Sequence, residues 1–328
     1  MVAKSELIGD FSIRDVLREA ASRSIEVAQL KELPPLVDTP TMSGTIKAEA
    51  VRDGLFMSGY DLTYLADSDF TMEMNRSVFC GLLLDGQSAP LAVEEHCVVE
   101  HRPQRVEVLG IGEPVLCRRS LQAGTRTRAF GITVRPEFLE QFGEHVDGDG
   151  LAPLRDFLKP GFHRATLPWS PRIVEMGNEV LNHSYSGALK RLYHESHALR
   201  FLIEVAVALR EQTRAHAAIG RIPYERASQA REILDRDLID PPRALDLARQ
   251  VGVNLTTLQT NFKAAFGTTI FGYVRRQRLE MGRLLITERG LRIADAGLKV
   301  GFSNAAAFTA AYRRHFGKTP TSDVKRAS

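Results

Sequence analysis

The sequence predicts an α+β protein, with an N-terminal small β-barrel and flanking helices followed by an all-α C-terminal domain with two helix-turn-helix units. Three observations support this prediction. Short apolar or alternating runs, separated by Gly, Asp and Pro, recur between residues 45 and 134, as is typical of strands. Apolar spacings of three and four dominate after Pro136, as in helices. A helix, glycine turn and helix pattern then occurs twice, around Gly252 and Gly301.

The length of 328 residues predicts two or three domains. We expect a β-rich effector-sensing domain with an N-terminal helix at 1–150, a helical dimerisation and linker region at 151–220, and a DNA-binding domain at 221–328. No apolar run approaches the roughly 20 residues that span a bilayer, so no membrane segment is expected. The first 15 residues have no apolar core of a signal peptide, and a cytoplasmic protein is predicted.

The first half contains the elements that build the predicted barrel. A helix is expected over residues 13–30, then a Pro-rich stretch with Pro34 and Pro35. Several short strands at regular spacing indicate a small barrel of the cupin type, or a sandwich. The predicted strands are Leu55–Tyr60, Phe70–Met74, Val78–Leu84, His96–Glu100, Arg105–Leu109, Val115–Leu121 and Arg128–Val134.

A long helix is predicted between the two halves, over residues 189–214, with a linker over 213–222. It is apolar on more than one side, which is typical of a helix that packs against its own domain and also against a second subunit. We therefore expect a homodimer.

Charge divides the chain into two parts. Residues 221–328 hold 19 Lys and Arg against 10 Asp and Glu, a net charge of +9, whereas residues 1–220 have a net charge of −6. A basic domain attached to an acidic one indicates that the C-terminal part faces a polyanion such as double-stranded DNA.

The two turn units supply the candidate DNA contacts. In the first unit, Leu258, Phe262 and Phe266 recur every four residues and are expected in the core, which leaves the residues between them outward. Gln pairs with adenine, and Thr methyls contact the thymine methyl. Asn254 and Asn304 stand where helix N-caps are expected. The base-reading candidates are Thr256, Thr257, Gln259, Thr260, Asn304, Ala305, Ala306, Thr309 and Ala310.

Cations near these helices are expected to bind phosphates, which position a protein on DNA without reading its sequence. The phosphate candidates are Lys263, Arg275, Arg276, Arg313 and Arg314. The alanine-rich second helix is expected to contribute apolar contacts and shape fit rather than direct hydrogen bonds.

Residues 228–320 resemble the DNA-binding domain of AraC/XylS-type transcription regulators. The resemblance rests on Leu247–Gly252, Leu258 through Phe262 to Phe266-Gly267, Arg278-Leu279 with Leu284-Leu285, Val300–Ser303 with Phe308, and Phe316-Gly317 with Thr319-Pro320. It implies a ligand-responsive, sequence-specific transcription regulator, either an activator or a repressor, with a small-molecule effector and RNA polymerase as a partner. A narrower resemblance to siderophore-responsive members rests on Gly252–Asn254, Phe266–Thr269 and Arg135–Leu139.

Two positions depart from that family pattern. Ala296-Gly297 stands where Ile-Ala is usual, and a glycine inside a helix costs about 1 kcal/mol relative to alanine. The closing motif Pro320–Asp323 lacks the usual Tyr-Arg after the proline. Both departures predict a less stable second unit with a weaker hold on DNA.

An enzyme is not expected, because the sequence has no nucleophile elbow, P-loop or GxGxxG. A cupin-type metal enzyme with a vestigial DNA-binding domain is one alternative, but His96 and His101 are five residues apart and would lie on opposite faces of a strand. The other alternative is an interaction protein with reduced DNA affinity. No metal or cofactor is predicted. Arginines on or beside strands are the candidates for an anionic effector: Arg118, Arg119, Arg126 and Arg128.

Overall fold

The computed structural model describes residues 6–22, 28–30, 37–143, 150–287 and 289–324. The predictions that concern Pro34 and Pro35 lie outside these residues. The chain divides into two compact units, Met1–Arg210 and Glu211–Ser328. Within the described residues, no helix is long and apolar enough to cross a membrane.

The first unit is built on antiparallel strands in two sheets. The strands are β1 Glu6–Phe11, β2 Ala28–Leu30, β3 Met42–Arg52, β4 Leu55–Tyr64, β5 Ser68–Met74, β6 Ser77–Gly86, β7 Leu91–Val93, β8 Cys97–Val99, β9 Val106–Ile111, β10 Val115–Leu121, β11 Arg126–Val134 and β12 Phe162–Thr166. One sheet has the order β1-β3-β4-β11-β6-β9-β12, and the other has β2-β5-β10-β7-β8. The predicted β-rich domain with flanking helices is confirmed. The barrel is not closed, because in the described strands each sheet keeps two open edges.

Two apolar clusters fill the space between the sheets, and each draws residues from both. We call them the upper and the lower cluster. The upper cluster contains Phe11, Ile13, Val37, Met42, Leu62, Tyr64 and Leu121. The lower cluster contains Met74, Leu91, Val93, Val99, Leu109, Ile111 and Cys117. Side chains that alternate along each strand place every second residue in this space.

Helices cover the outer face of the larger sheet. The helices up to residue 219 are α1 Ile13–Ser22, α2 Pro136–Glu140, α3 Ala152–Asp156, α4 Pro171–Asn182 and α5 Gly187–Ile219, and α5 continues past Arg210 into the second unit. Phe201 of α5 meets Phe130 of β11 edge-on at 5.0 Å between ring centroids. Gly59 of β4 lets α4 approach, since a Cβ there would lie 2.6 Å from the Leu181 Cδ2.

Two helix boundaries in this half were predicted wrongly. The expected helix over 13–30 ends at Ser22, and residues 28–30 form β2 in the smaller sheet. The expected linker over 213–222 is helical to Ile219, and a new helix begins at Arg221 after Gly220, which has a φ of +84°. Alanine and arginine continue the helix through 213–219, and the left-handed glycine alone interrupts it.

The second unit is all helical. Its helices are α6 Arg221–Arg236, α7 Ala244–Gln250, α8 Leu255–Phe266, α9 Ile270–Thr287, α10 Ile293–Lys299, α11 Ala305–Phe316 and α12 Pro320–Asp323. One core lies around α6, α7 and α8 and includes Leu258 and Phe262. A second lies around α10 and α11 and includes Phe308 and Tyr312. The long helix α9 contributes to both cores, through Tyr273 and Leu279 respectively.

An arginine spans each glycine turn. In the first turn, Arg226 of α6 donates from Nη1 to the Val251 carbonyl at 2.7 Å. In the second, Arg278 of α9 donates to the Gly301 carbonyl at 3.0 Å and also to the carbonyls of Leu238 and Ile239, at 2.9 and 2.8 Å. Arg278 therefore joins the end of the first bundle to the turn of the second.

Gly301 makes this contact possible. It has a φ of +83°, and a Cβ there would lie 3.0 Å from the Arg278 Cζ. Gly252 has the same relation to Arg226, with a φ of +71° and 3.1 Å to Nη1. Glycine is needed at each turn both for the left-handed backbone and for the close guanidinium.

The structure changes the interpretation of both departures from the family pattern. A Cβ on Gly297 would lie 2.9 Å from the Cβ of Phe308, so this glycine lets α10 pack directly on that ring. At the C-terminal end, the Tyr312 hydroxyl donates to Asp323 at 2.6 Å, and Arg283 pairs with the same carboxylate at 3.4 Å. Asp323 supplies an anchor for α12 at the end of the second unit.

We expect Gly297→Ala to lower the free energy of unfolding of the second unit by up to about 2 kcal/mol. The alanine gains about 1 kcal/mol of helix propensity but forces Phe308 out of its place, and overpacking of this kind costs about 1–3 kcal/mol. Denaturant unfolding measures the change. In a double-mutant cycle, Phe308→Leu should remove most of the penalty. A stabilising Gly297→Ala would contradict this packing role.

Candidate nucleic-acid interface

The first turn unit presents α8 with one face open to solvent. Gly252 ends α7 and the side chain of Asn254 accepts from the Thr257 N–H at 2.7 Å, which caps the start of α8. Gly267 ends α8 in the left-handed conformation. Leu258 and Phe262 are fully buried, so the orientation of the helix about its own axis is fixed by its core.

Four of the predicted contact residues share the exposed face of α8. Thr256, Gln259, Thr260 and Lys263 are all exposed, at spacings that fall on one side of a helix. Thr257 is half-buried at the edge of this face. The amide of Gln259 and the hydroxyl of Thr260 are adjacent, which is the combination that reads base edges in a major groove.

The second unit repeats the first with an offset of 50 residues from the cap onward. Asn304 corresponds to Asn254, Phe308 to Leu258 and Gly317 to Gly267. The exposed face of α11 carries Ala306, Ala310, Arg313 and Arg314, while Ala305 and Thr309 are half-buried. At the offset of 50, methyl groups of Ala306 and Ala310 stand where α8 has the hydroxyls of Thr256 and Thr260, and Arg313 stands where α8 has Lys263.

Asn304 has a structural role. Its side-chain oxygen accepts from the Ala307 N–H at 2.8 Å and caps α11. The oxygen is thereby engaged within the helix, and the amide NH2 lies 3.5 Å from the Ser303 hydroxyl.

The predicted phosphate ligands lie on α8, in the first half of α9 and on α11. Lys263, Arg276, Arg313 and Arg314 are exposed, and Arg275 is half-buried. The Arg276 guanidinium lies 5.7 Å from the centroid of the Tyr273 ring, which limits its freedom.

A groove beside α8 was not predicted from the sequence. It has a volume of about 610 Å³, and Gln259, Thr260 and Lys263 form one wall. Phe271 at the start of α9 forms part of the opposite wall and is 75 % exposed. An outward aromatic residue on an amphipathic helix is the only sequence signal for this groove.

The four arginines proposed for the effector lie in different surroundings. Arg118 is exposed, 3.9 Å from Asp69. Arg126 makes a two-pronged pair with Asp61, at 3.0 and 2.9 Å. Arg128 donates to the side chain of Asn178 at 2.7 Å. Arg119 alone of the four faces the space between the two sheets, where it lines a cavity with His101.

His194 and His197 of the long helix α5 are buried. His194 is 1 % exposed, and its Nδ1 lies 2.5 Å from the Glu49 carboxylate while its Nε2 lies 2.6 Å from the Nε2 of His183. Burial, with the neighbouring His194, lowers the pKa of His183 to about 4. His197 pairs with Glu179 at 3.0 Å. These pairs fasten α4 and α5 to each other and to β3, a role that periodicity does not reveal.

The metal alternative rests on His96, His101 and nearby carboxylates. His96 is exposed and stacks on Phe162, with 5.4 Å between centroids, whereas His101 faces the interior. In the described part of the chain, no group of three or more His, Cys, Asp or Glu side chains is placed to hold a metal ion.

Family models match both halves of the chain. The "Regulatory protein PchR N-terminal domain" matches residues 43–222, more than half of the chain, and a "Helix-turn-helix domain" matches residues 247–326.

Curated relatives match through the C-terminal part. The HTH-type transcriptional regulator ExsA of Pseudomonas aeruginosa is 27% identical over 88 residues, 27% of this chain and 32% of ExsA. The virulence regulon transcriptional activator VirF of Yersinia enterocolitica is 27% identical over 103 residues, 31% of this chain and 37% of VirF. The chain thus spans about a third of the length of these relatives.

Solved structures with similarity include an AraC-type DNA-binding domain protein from Chromobacterium violaceum and ToxT from Vibrio cholerae. The first is 30% identical, covers 30% of this chain and 88% of its own, and has a TM-score of 0.29. ToxT is 11% identical, covers 78% of this chain and 97% of its own, and also has a TM-score of 0.29.

The match over residues 43–222 agrees with the narrower resemblance seen in the sequence, and the duplicated turn unit agrees with the wider one. The chain belongs to the AraC-type regulatory proteins that carry the PchR N-terminal domain.

Proposed function

We propose that this protein is a ligand-responsive transcription regulator that binds specific DNA sequences through α8 and α11. The observation that carries the proposal is the pair of capped helices, α8 and α11, each with one solvent-exposed face and each held on α9 by its own core. Two such helices held on the single long helix α9 fit successive major-groove segments on one face of a duplex, roughly 34 Å apart.

The two helices would contribute differently to recognition. Gln259, Thr256 and Thr260 offer hydrogen-bonding groups to base edges, and α8 would read sequence directly. Ala306 and Ala310 offer only methyl groups, so α11 would favour thymine-rich or deformable sequence and depend on Arg313 and Arg314 for phosphate contacts.

The N-terminal unit is proposed as the effector-sensing part, with the domain limits expected from the sequence. An effector that binds one conformation better than another shifts the population toward it, and DNA affinity would follow. RNA polymerase is the partner that the family resemblance implies.

A homodimer is proposed through α5. Leu189, Leu192, Ile203 and Val207 are all exposed, at 64%, 63%, 59% and 38%, and their spacing places them along one stripe of the helix. An exposed apolar stripe of this length is typical of a helix that packs against a partner.

The rival function is an interaction protein whose second unit binds a protein rather than DNA. The apolar groove beside α8, with the exposed Phe271, is the observation that favours it. A gel shift with DNA from upstream of the protein's own and neighbouring coding regions separates the two. Specific retardation supports the regulator, and its absence at low salt with every fragment supports the rival.

We expect Gln259→Ala to weaken binding to the specific site by about 1–3 kcal/mol while binding to random DNA stays unchanged, because a base contact is lost but no phosphate contact is. Fluorescence anisotropy with both DNAs measures the two affinities. Gln250→Ala is the matched control, since Gln250 is also exposed but ends α7. Equal losses on both DNAs would show that Gln259 reads no base.

Arg313→Gln should weaken binding to specific and random DNA alike and make it less sensitive to salt. Each phosphate contact contributes about 0.9 to the slope of log affinity against log salt concentration, so the slope should fall by about one. The measurement is a salt titration of both DNAs. Arg236→Gln, which removes an exposed arginine at the end of α6, should leave the slope unchanged.

Ile203→Asp should convert the dimer to a monomer, because it places an unpaired charge in the centre of the apolar stripe. Analytical ultracentrifugation gives the mass at several concentrations. Ile222→Asp is the control, since Ile222 is 69 % exposed but lies on α6. If the Ile203 variant keeps the mass of the parent protein, α5 is not the dimer surface.

A further inference from the structure

Arg119 occupies an unusual position in the smaller sheet. Along β10, alternate residues face the space between the sheets, and Cys117 and Leu121 on either side of Arg119 are both buried there. Cys117 belongs to the lower apolar cluster and Leu121 to the upper one. Arg119 therefore places a guanidinium at the point where the two apolar clusters would otherwise meet.

A small cavity lies at this point. Its volume is about 20 Å³, enough for at least one water-sized group, which needs about 10–15 Å³. Both sheets contribute to its walls, together with the segment after β8 that carries His101. The polar side chains on the walls are Ser58, Tyr60, Ser88, His101 and Arg119, all half-buried.

Two buried polar atoms at this cavity have no hydrogen-bond partner among the described residues. They are the Nε of Arg119 and the Nδ1 of His101. Buried polar atoms in folded proteins are nearly always paired, and those that are not destabilise the fold or serve a ligand. Arg119 and His101 line the same cavity, so one group bound there would satisfy both atoms.

The charge of the cavity defines that partner. Burial and the neighbouring guanidinium of Arg119 lower the pKa of His101 to about 4, so the imidazole is neutral near pH 7. Arg119 then contributes an uncompensated positive charge. An anion that accepts hydrogen bonds would compensate this charge, and a carboxylate has two oxygens, one for each of the two donors.

Phe79 forms one wall of the cavity. The Phe79 ring lies over Gly81 and Gly131, which face each other in the β6–β11 register. A Cβ on Gly81 would lie 2.5 Å from this ring, and one on Gly131 would lie 3.0 Å from it. The two glycines form a trough that holds the ring, and rotation of the half-buried Phe79 would enlarge the cavity for the body of a ligand.

We propose that Arg119 and His101 bind the carboxylate group of a small organic acid, and that this acid is the effector. The proposal rests on the effector-sensing function proposed above for this unit. Arg119 Nε donates to one carboxylate oxygen, and His101, as the tautomer protonated on Nδ1, donates to the other. The hydroxyls of Ser88 and Tyr60 complete the polar surface, and Phe79 moves aside for the rest of the molecule.

Isothermal titration calorimetry on the full chain tests the site with formate, acetate and benzoate. Formamide, acetamide and benzamide are the neutral counterparts of matching shape, and sodium chloride keeps the ionic strength constant. We expect at least one acid to bind and its amide not to bind. Equal binding of an acid and its amide, binding of no acid, or tighter binding of phosphate or sulfate overturns the proposal.

Arg119→Met separates a ligand role from a structural one. We expect it to weaken acid binding at least tenfold and, in the absence of acid, to leave the Tm unchanged or raise it, because an uncompensated charge leaves the core. Arg118→Met on the same strand is the control, since Arg118 is exposed, and it should retain binding. A lower Tm with unchanged acid affinity overturns the proposal.

Two further variants keep the test decisive if Arg119→Met does not fold. Arg119→Lys retains the charge but lacks the Nε donor, and His101→Phe removes the second donor. Each should weaken acid binding while the chain stays folded. If both bind acid as the parent does, the site is wrongly assigned.

Gel shifts with the same proteins separate this proposal from the proposed function. Specific DNA binding without acid binding would leave the regulator in place and overturn the carboxylate site. Acid binding without any DNA binding would support the site and remove the regulator. Acid binding that leaves DNA affinity unchanged would overturn the assignment of the acid as effector.

Discussion

The three hydrogen bonds of Arg278 are the constraint on which the C-terminal unit depends. One guanidinium holds the carbonyls of Leu238 and Ile239, which follow α6, and the carbonyl of Gly301 in the second turn. Because Arg278 lies on α9, which packs against both cores, it ties the two bundles to one helix of 18 residues, about 27 Å long. The exposed faces of α8 and α11 are thereby held at a fixed separation. Without that restraint, each helix would still fold on its own core, but their spacing would vary.

A comparison of the two turn units, 50 residues apart, distinguishes the positions that the fold requires from those available for DNA contact. Positions that face the cores keep their character, as in Leu258 and Phe308 or Phe266 and Phe316. The exposed positions differ, with Thr260 against Ala310. Packing therefore preserves the shape of the second unit, while its outer face has lost hydrogen-bonding groups. We infer that the two units divide the work between direct readout and positioning.

The sequence was most informative where local chemistry decides the structure. Asn254 and Asn304 cap helices as expected, and Gly252 and Gly301 adopt the left-handed conformation. Packing between residues far apart in the chain could not be predicted from the sequence. β3 was missed because its residues are mostly half-buried, without the clear alternation of a strand with one solvent face. Helix propensity alone predicted that Gly297 destabilises the second unit. The reason for a glycine at this position is the ring of Phe308, which lies on another helix and could not be foreseen from the local sequence. Arg119 was grouped with three surface arginines, since only the strand register shows which of them faces inward.

We infer that α8 and α11, both held on α9, contact one face of a duplex. Once a specific site has been footprinted, insertion of five base pairs between the segments contacted by α8 and α11 tests this most directly. Half a helical turn rotates the second segment to the far side of the DNA. We predict that the insertion reduces affinity to that of a single unit and that ten inserted base pairs do not restore it, because α9 cannot lengthen. Unchanged affinity with the five-base-pair insertion would contradict the account.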